Sequence, residues 1–284
     1  MDNFLVPGGN IILGNALEVL DTLPSNSFQT CITSPPYWGL RDYGTTNQIG
    51  AEFCIDDYII NLTILFSKIR NVLRDDGILW LNIGDSYTSG NRTWRDDDKK
   101  NPGRAMTYRP PTPKGLKPKD LIGVPWKVAF ALQNDGWYLR SDIIWNKPNC
   151  QPESVKDRPT RSHEYIFMLT KNEKYYYDFE SIRETTVDNS NKKNKRTVWN
   201  INTEGFKGAH FAVFPTELVK TCLLASTKFN DKVLDPFFGS GTLGTVCQQF
   251  NRQFLGIELS SEYVQLAYNR LKDNSDLFIE SKIG

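Results

Sequence analysis

The chain has 284 residues, 39% of them hydrophobic and 24% charged, enough for one large core or a core with a small attachment and inconsistent with global disorder. No apolar run approaches the roughly 20 residues of a membrane span, and Met1-Asp2-Asn3-Phe4 lacks the basic-then-apolar pattern of a signal peptide, so a cytoplasmic protein is expected. The net charge of +1 carries no message about polyanions, but its distribution does. Between Ser89 and Asp120 nine Lys or Arg face four Asp, a local excess of +5, and Lys192, Lys193, Lys195 and Arg196 form a second basic stretch. Such segments suit either a phosphate-tracking surface or a solvated loop. The five cysteines are widely spaced with no Cys-x-x-Cys pair, which implies buried reduced thiols rather than disulfides or a metal site.

In chain order, Ile11 to Leu13 reads as the end of a strand and Asn15 to Leu23 as a helix with Leu17 and Leu20 on one face. Ser27 to Thr33 reads as a strand entering Ser34-Pro35-Pro36-Tyr37. Asp56 to Leu73 has the three-and-four spacing of an amphipathic helix, and Asp76-Gly77 turns into a buried strand over Ile78 to Ile83. Residues 86 to 120 are polar, basic and rich in Pro and Gly, the signature of a long loop. Leu121 to Asn134 predicts a helix, Trp137 to Trp145 a strand, and Glu164 to Thr170 another. Residues 184 to 210 form a second polar insertion. Helices are expected over Thr216 to Ser226, Gly241 to Phe250 and Ser261 to Leu271, and strands over Lys232 to Asp235 and Phe254 to Leu259. Strands alternating with helices imply an α/β layer fold with a largely parallel sheet.

Two segments carry chemistry. In Val233-Leu234-Asp235-Pro236-Phe237-Phe238-Gly239-Ser240-Gly241-Thr242-Leu243-Gly244 a strand runs into a glycine turn that opens a helix. Gly239, Gly241 and Gly244 have the G-x-G-x-x-G spacing, and Glu258 lies 19 residues beyond Gly239, placed to bind ribose hydroxyls. The spacing alone also suits NAD. A carboxylate at Asp235, however, opposes a pyrophosphate and suits the ammonium of S-adenosylmethionine (SAM). In Ser34-Pro35-Pro36-Tyr37 two prolines remove N–H donors, leaving carbonyl acceptors and a hydroxyl beside an aromatic ring. Acceptors on both N–H groups of an aromatic amine localise its lone pair and aim it at an electrophilic methyl group. Tyr37 can stack on a base that has left the duplex.

Together these segments resemble the amino-methyltransferases of bacterial and phage restriction–modification systems. The likeness is to the permuted beta-group order, in which the catalytic motif precedes the cofactor motif. Gly14-Asn15-Ala16-Leu17-Glu18 looks like that family's opening segment, with Asn15 where an Asp is frequent. Asn146-Lys147-Pro148 through Arg158-Pro159-Thr160-Arg161-Ser162-His163-Glu164-Tyr165 looks like the segment bordering the target base. Phe214-Pro215-Thr216-Glu217-Leu218 resembles the segment that covers the cofactor.

The resemblance implies a Rossmann-like SAM-dependent methyltransferase fold over a single catalytic domain, 1–284. Its sheet is expected to have seven mostly parallel strands with helices on both faces. It implies SAM contacts from Asn15, Thr216, Asp235, Phe237, Phe238, Gly239, Gly241 and Glu258, with Ser34, Pro35, Pro36 and Tyr37 holding the target amine and no metal. DNA contacts are expected from Trp38, Lys147, Arg158, Arg161 and His163. Trp38 equally suits core packing, Arg158 and Arg161 surface ion pairs, and His163 a backbone bond. His210 suits a structural or cofactor-adjacent place. Residues 86–120 and 184–210 are the candidate recognition loops. Serine at the head of the catalytic motif resembles the cytosine-N4 members, whereas aspartate is usual for adenine-N6 members.

The expected activity is cytosine-N4 methylation of a flipped-out base. Adenine N6 is the alternative, followed by RNA or protein-amide methylation, an NAD oxidoreductase, and a non-enzymatic DNA-binding module. The expected partners are double-stranded DNA and a cognate restriction endonuclease, with no membrane and a monomer or homodimer both open.

Overall fold

The computed structural model describes residues 2–40, 48–89, 110–186, 191–205 and 214–280. Arg41, Asp42, Tyr43, His210 and the middle of the first basic segment lie outside them. The first strands, β1 (Asp2–Val6) and β2 (Gly9–Leu13), form an antiparallel hairpin. Helix α1 (Ala16–Thr22) leads to β3 (Phe28–Thr33), then α2 (Ile55–Val72), β4 (Leu73–Ile83), α3 (Val124–Asn134), β5 (Tyr138–Asn146) and β6 (His163–Thr170). Two short strands, β7 (Glu184–Thr185) and β8 (Lys192–Lys193), pair with each other, and β9 (Val198–Asn200) follows. The chain continues through α4 (Thr216–Ser226), β10 (Lys232–Asp235), α5 (Thr242–Gln249), β11 (Gln253–Glu258) and α6 (Ser261–Glu280).

The main sheet has nine strands in the order β1-β2-β11-β10-β3-β4-β6-β5-β9, against the seven expected. The additions are its edge strands. β1 hairpins onto β2, and β9 joins β5 in parallel from within a segment whose basic composition reads as a loop. Pairing is parallel from β2 through β4 and turns antiparallel at β6. Strand β4 puts Leu79, Leu81 and Ile83 on one face, beneath α1, α2 and α3, and Ile78 and Trp80 on the other, beneath α4, α5 and α6. That alternation is the period-two geometry of a strand buried on both faces.

Helix α2 buries Tyr58, Leu62, Leu65, Phe66, Ile69 and Val72, as its spacing requires. Helix α3 starts three residues later than predicted. Gly123 takes a left-handed φ of 77° and Pro125 sits in the first turn. The Asp85 carboxylate, just beyond β4, accepts the N–H groups of Gly123 and Val124 at 3.0 Å each, meeting the positive end of that helix. The first basic segment is clasped at its base, where Tyr87 bridges to Leu121, Thr88 N–H donates to Asp120 O and Ile122 N–H to Ser86 O. Lys119 pairs with Asp157 at 2.6 Å, and the Arg158 guanidinium lies 3.9 Å over the Tyr87 ring. All five cysteines are free thiols, with Cys31, Cys222 and Cys247 buried and Cys54 and Cys150 half-buried. Among the described residues no helix is long and apolar enough to cross a membrane.

Phe238 wedges the glycine turn onto the sheet. Its ring stacks on Phe254 at 5.7 Å and its N–H donates to Ile257 O at 2.9 Å. A Cβ on Gly256 of β11 would lie 2.2 Å from that ring. Gly256→Ala is therefore expected to push Phe238 off the sheet and to cost about 1–3 kcal/mol in urea denaturation. An unchanged midpoint would mean that the wedge is not rigid.

Candidate functional site

Parallel pairing sets β3 beside β10, and from that junction the chain leaves in opposite directions, toward β4 on one side and β11 on the other. Such a switch point opens a crevice at the carboxyl ends of the strands. A cavity of about 320 Å³ lies there, lined by Ser34, Pro35, Pro36 and Tyr37 after β3 and by Asp235, Phe237 and Gly239 after β10. Glu258 at the end of β11 and Asn15 also line it. Its volume falls in the range of small-molecule sites, roughly 300–1,000 Å³.

The two motif turns are joined directly. Thr33 Oγ1 donates to Asp235 Oδ1 at 2.6 Å, and the Phe237 N–H donates to the same oxygen at 3.0 Å. Burial, helped slightly by Glu258, pushes the Asp235 carboxyl up to about 7 despite those bonds. Glu258 is also raised, by burial, against donation from the N–H groups of Gly239 to Oε2 and Ser260 to Oε1. A buried carboxyl bonded by no cation among the described residues, beside a second carboxylate, suits an ammonium and vicinal hydroxyls. It does not suit a pyrophosphate. These residues therefore fit SAM and not NAD.

The glycines divide their work. Gly239 has φ +52°, and a Cβ there would meet nothing nearer than Phe237 O at 4.0 Å, so of the three it is the one whose missing side chain leaves room for a ligand. A Cβ on Gly241 would sit 3.1 Å from Ala267, and one on Gly244 2.9 Å from Leu271, so those two let α5 close on α6. Phe238 is 3% exposed and serves mainly as the wedge. Asn15 caps α1, its Oδ1 accepting the Leu17 N–H at 2.9 Å. Thr216 is absent from the cavity wall, where Phe214 stands instead; its hydroxyl and N–H bind the Glu204 carboxylate.

At the catalytic turn, Tyr58 donates its hydroxyl to Pro36 O at 2.9 Å, so one of the expected acceptors is already engaged. Tyr37 occupies space that Gly84 leaves, since a Cβ there would fall 2.7 Å from its ring. The Tyr37 hydroxyl donates to Glu164 Oε2 at 2.7 Å. Asn82 Nδ2 reaches the same oxygen at 2.9 Å, Tyr37 Oη at 3.0 Å and Ser34 Oγ at 3.3 Å. Lys147 Nζ pairs with Glu164 Oε1 and lies 4.2 Å over the Trp145 ring. Burial is the largest influence on Glu164 and works to raise it. The Lys147 charge, with the bonds from Lys147, Tyr37 and Asn82, outweighs burial and holds the carboxyl below its ordinary value. Burial, and then the Glu164 charge, raises the Tyr37 phenol well above its own.

Asn82 and Glu164 are the site residues that sequence reasoning passes over. Their signal is a polar side chain at the end of an otherwise apolar strand, on the edge where sites form. The residues expected at DNA are scattered. Lys147 lines the cavity, whereas Trp38 is buried and donates to Glu52 O at 2.9 Å. His163 packs edge-on against Tyr165, and Arg158 is held by Glu153 at 2.7 Å. Arg161 donates its N–H to the same carboxylate, while its buried Nη1 has no partner among the described residues.

Comparison with known proteins agrees with this geometry. Residues 28–269 match the DNA methylase family. The type II methyltransferase M.SmaI of Serratia marcescens is 67% identical over 92% of this chain and 90% of its own length. The type II methyltransferase M.Cfr9I of Citrobacter freundii is 64% identical over 93% and 88%. Among solved structures, the PvuII DNA methyltransferase (cytosine-N4-specific) superposes with a TM-score of 0.70 at 18% identity, covering 95% of this chain and 92% of that one. The M1.HpyAVI–SAM complex superposes at 0.60 and 21% identity, covering 92% and 98%. With its catalytic and glycine turns meeting in one cavity and its relatives covering nearly its whole length, the chain belongs to the DNA methylase family.

Proposed function

We propose that this protein transfers a methyl group from SAM to the exocyclic N4 of a cytosine turned out of duplex DNA, as the modification enzyme of a restriction–modification system. The observation that carries the reading is the single cavity shared by the Ser34-to-Tyr37 turn and the Asp235–Glu258 pair, coupled through Thr33. Serine rather than aspartate at position 34 supports cytosine. So does the superposition on a methyltransferase described as cytosine-N4-specific. The type II relatives support the restriction–modification setting.

In this reading Asp235 binds the ammonium of SAM and Glu258 accepts its ribose hydroxyls. SAM supplies a methyl group made electrophilic by its sulfonium. Ser34 Oγ and the Pro35 carbonyl accept the two N–H groups of the target amine, directing its lone pair across the cavity. The Tyr37 ring stacks on the base, and Lys147 offers its remaining donors to the base's acceptor edge. The two basic segments, with Arg158 and Arg161, track DNA phosphates.

Mass spectrometry of nucleosides from DNA incubated with the protein and SAM is expected to show N4-methylcytosine. N6-methyladenine alone moves the assignment to adenine, and methyl groups in RNA or protein alone overturn it. Ser34→Ala is expected to lower kcat by at least about 10-fold, the worth of a hydrogen bond made in the transition state.

Asp235 gives a second test. Its folded-state pKa of about 7 exceeds the ordinary 3.8, so the ligand-free protein loses stability as pH rises from 3.8 through 7. Asn can accept the same bonds from Thr33 and Phe237. Asp235→Asn should therefore melt above the parent at about pH 8, with the gap closing toward about pH 4, while SAM affinity falls about tenfold or more. Parallel melting curves at both pH values in scanning calorimetry would refute the buried, unpaired carboxyl.

A further inference from the structure

The roles above leave two members of the polar cluster on the β4–β6 side of the cavity unused, Glu164 and Asn82. Glu164 is the hub of that cluster. Its side chain is 15% exposed and that of Lys147 17%, so the pair is largely withdrawn from water. Oε1 takes Lys147; Oε2 takes the Tyr37 hydroxyl and the Asn82 amide.

The direction of the hydrogen bonds follows from the chemistry of the groups. An ionised carboxylate can only accept, so the Tyr37 proton points at Glu164. The Tyr37 oxygen then acts as an acceptor, toward Asn82 Nδ2 at 3.0 Å and toward the Ser34 hydroxyl at 3.4 Å. Asn82 Nδ2 lies within 3.3 Å of all three oxygens and, sharing its two N–H groups among them, holds them in register. The result is a one-way chain from the Ser34 hydroxyl through the Tyr37 phenol to a carboxylate.

Methylation of an aromatic amine creates a need for such a chain. Nitrogen that gains a methyl carries a positive charge until one N–H proton leaves. A serine hydroxyl is no base, and Asp235 and Glu258 belong to the other side of the cavity. We propose that Glu164 is the proton sink for the transfer, reached from the target amine by way of Ser34 and Tyr37, and that Lys147 and Asn82 position it. The inference rests on the methyltransferase reading above.

The step balances. The N–H bond breaks and its electron pair returns to nitrogen, leaving a neutral secondary amine. That proton bonds to Ser34 Oγ, the Ser34 proton moves to the Tyr37 oxygen, and the Tyr37 proton moves to Glu164 Oε2. Glu164 becomes a neutral acid, and Ser34 and Tyr37 are restored with exchanged protons. An N-alkylated, ring-conjugated ammonium is a far stronger acid than a carboxylic acid, so the transfer runs downhill even to a carboxylate that Lys147 stabilises.

The test is single-turnover methylation of DNA at saturating SAM by the full chain and three variants, with SAM affinity measured by calorimetry. Glu164→Gln keeps the shape but accepts no proton. It is expected to slow the chemical step about 10²- to 10⁴-fold, the range of general base catalysis, with KM for DNA and the Kd for SAM within about twofold of the parent. Glu164→Asp retains an acceptor and should recover at least about tenfold over Glu164→Gln. Tyr37→Phe keeps the ring and breaks the chain, and should match the loss in Glu164→Gln. Because it leaves the carboxylate in place, it also decides the matter if Glu164→Gln fails to fold.

A Glu164→Gln or Tyr37→Phe rate within about threefold of the parent overturns the relay. So does an Asp variant as slow as the Gln variant, or a loss that appears in KM and SAM affinity instead of in the rate. A parent protein that methylates no DNA overturns the functional reading itself, a result distinguishable from failure of the variants alone.

Discussion

The hydrogen bond from Thr33 to Asp235 joins residues 202 positions apart, and the site depends on it. One partner ends the strand that delivers the catalytic turn; the other ends the strand that delivers the glycine turn. Parallel pairing of Val233 with Thr30 and Leu234 with Cys31 fixes the height at which both turns leave the sheet. The permuted order of the motifs follows without difficulty from this arrangement. Strand neighbours are chosen by pairing and by the burial of both faces, so the catalytic strand can come first in the chain and still lie beside the glycine strand.

Three carboxyls line the cavity and are handled in two ways. Asp235 and Glu258 are bonded by a hydroxyl and backbone N–H groups, which do not offset burial, and both are pushed toward the neutral form. Glu164 has Lys147 beside it and stays ionised. One side of the cavity thus has charge that awaits a complement, and the other has charge already complemented. A cationic ligand gains most from the first, because it relieves a desolvation penalty the fold has already incurred.

Local pattern made much of this legible. Helix α4 and strand β10 occupy the predicted bounds, because each is a short apolar unit flanked by clear breakers. The turns after β3 and β10 were readable because their chemistry sits in consecutive residues. What the sequence hid was non-local. Strand β1 has a weak apolar signal and exists through its hairpin. Strand β9 spans three residues whose strand character comes from pairing with β5. Asn82 and Glu164 are single polar residues on separate strands, and only the antiparallel register that pairs Asn82 with Ile166 and Ile83 with Tyr165 brings them to the same edge. Trp38 and Phe238 show the converse. One follows the catalytic motif and the other sits in the glycine turn, yet the path of the chain beyond the strand end carries both rings into the core.

The clasp between Tyr87 and Leu121 has a consequence for how this protein can change over generations. It ties off the first basic segment with backbone bonds between residues at its base, and Lys119 there pairs with Asp157 of the β5–β6 connection. Closing a loop that is already tied becomes only slowly more costly with length, by about 0.6 kcal/mol for each doubling. Insertions, deletions and altered charges beyond the clasp therefore transmit little strain to Asp85 and the start of α3 behind it. The catalytic edge and the tied-off segment can drift at different rates, one constrained by packing and the other by whatever it touches.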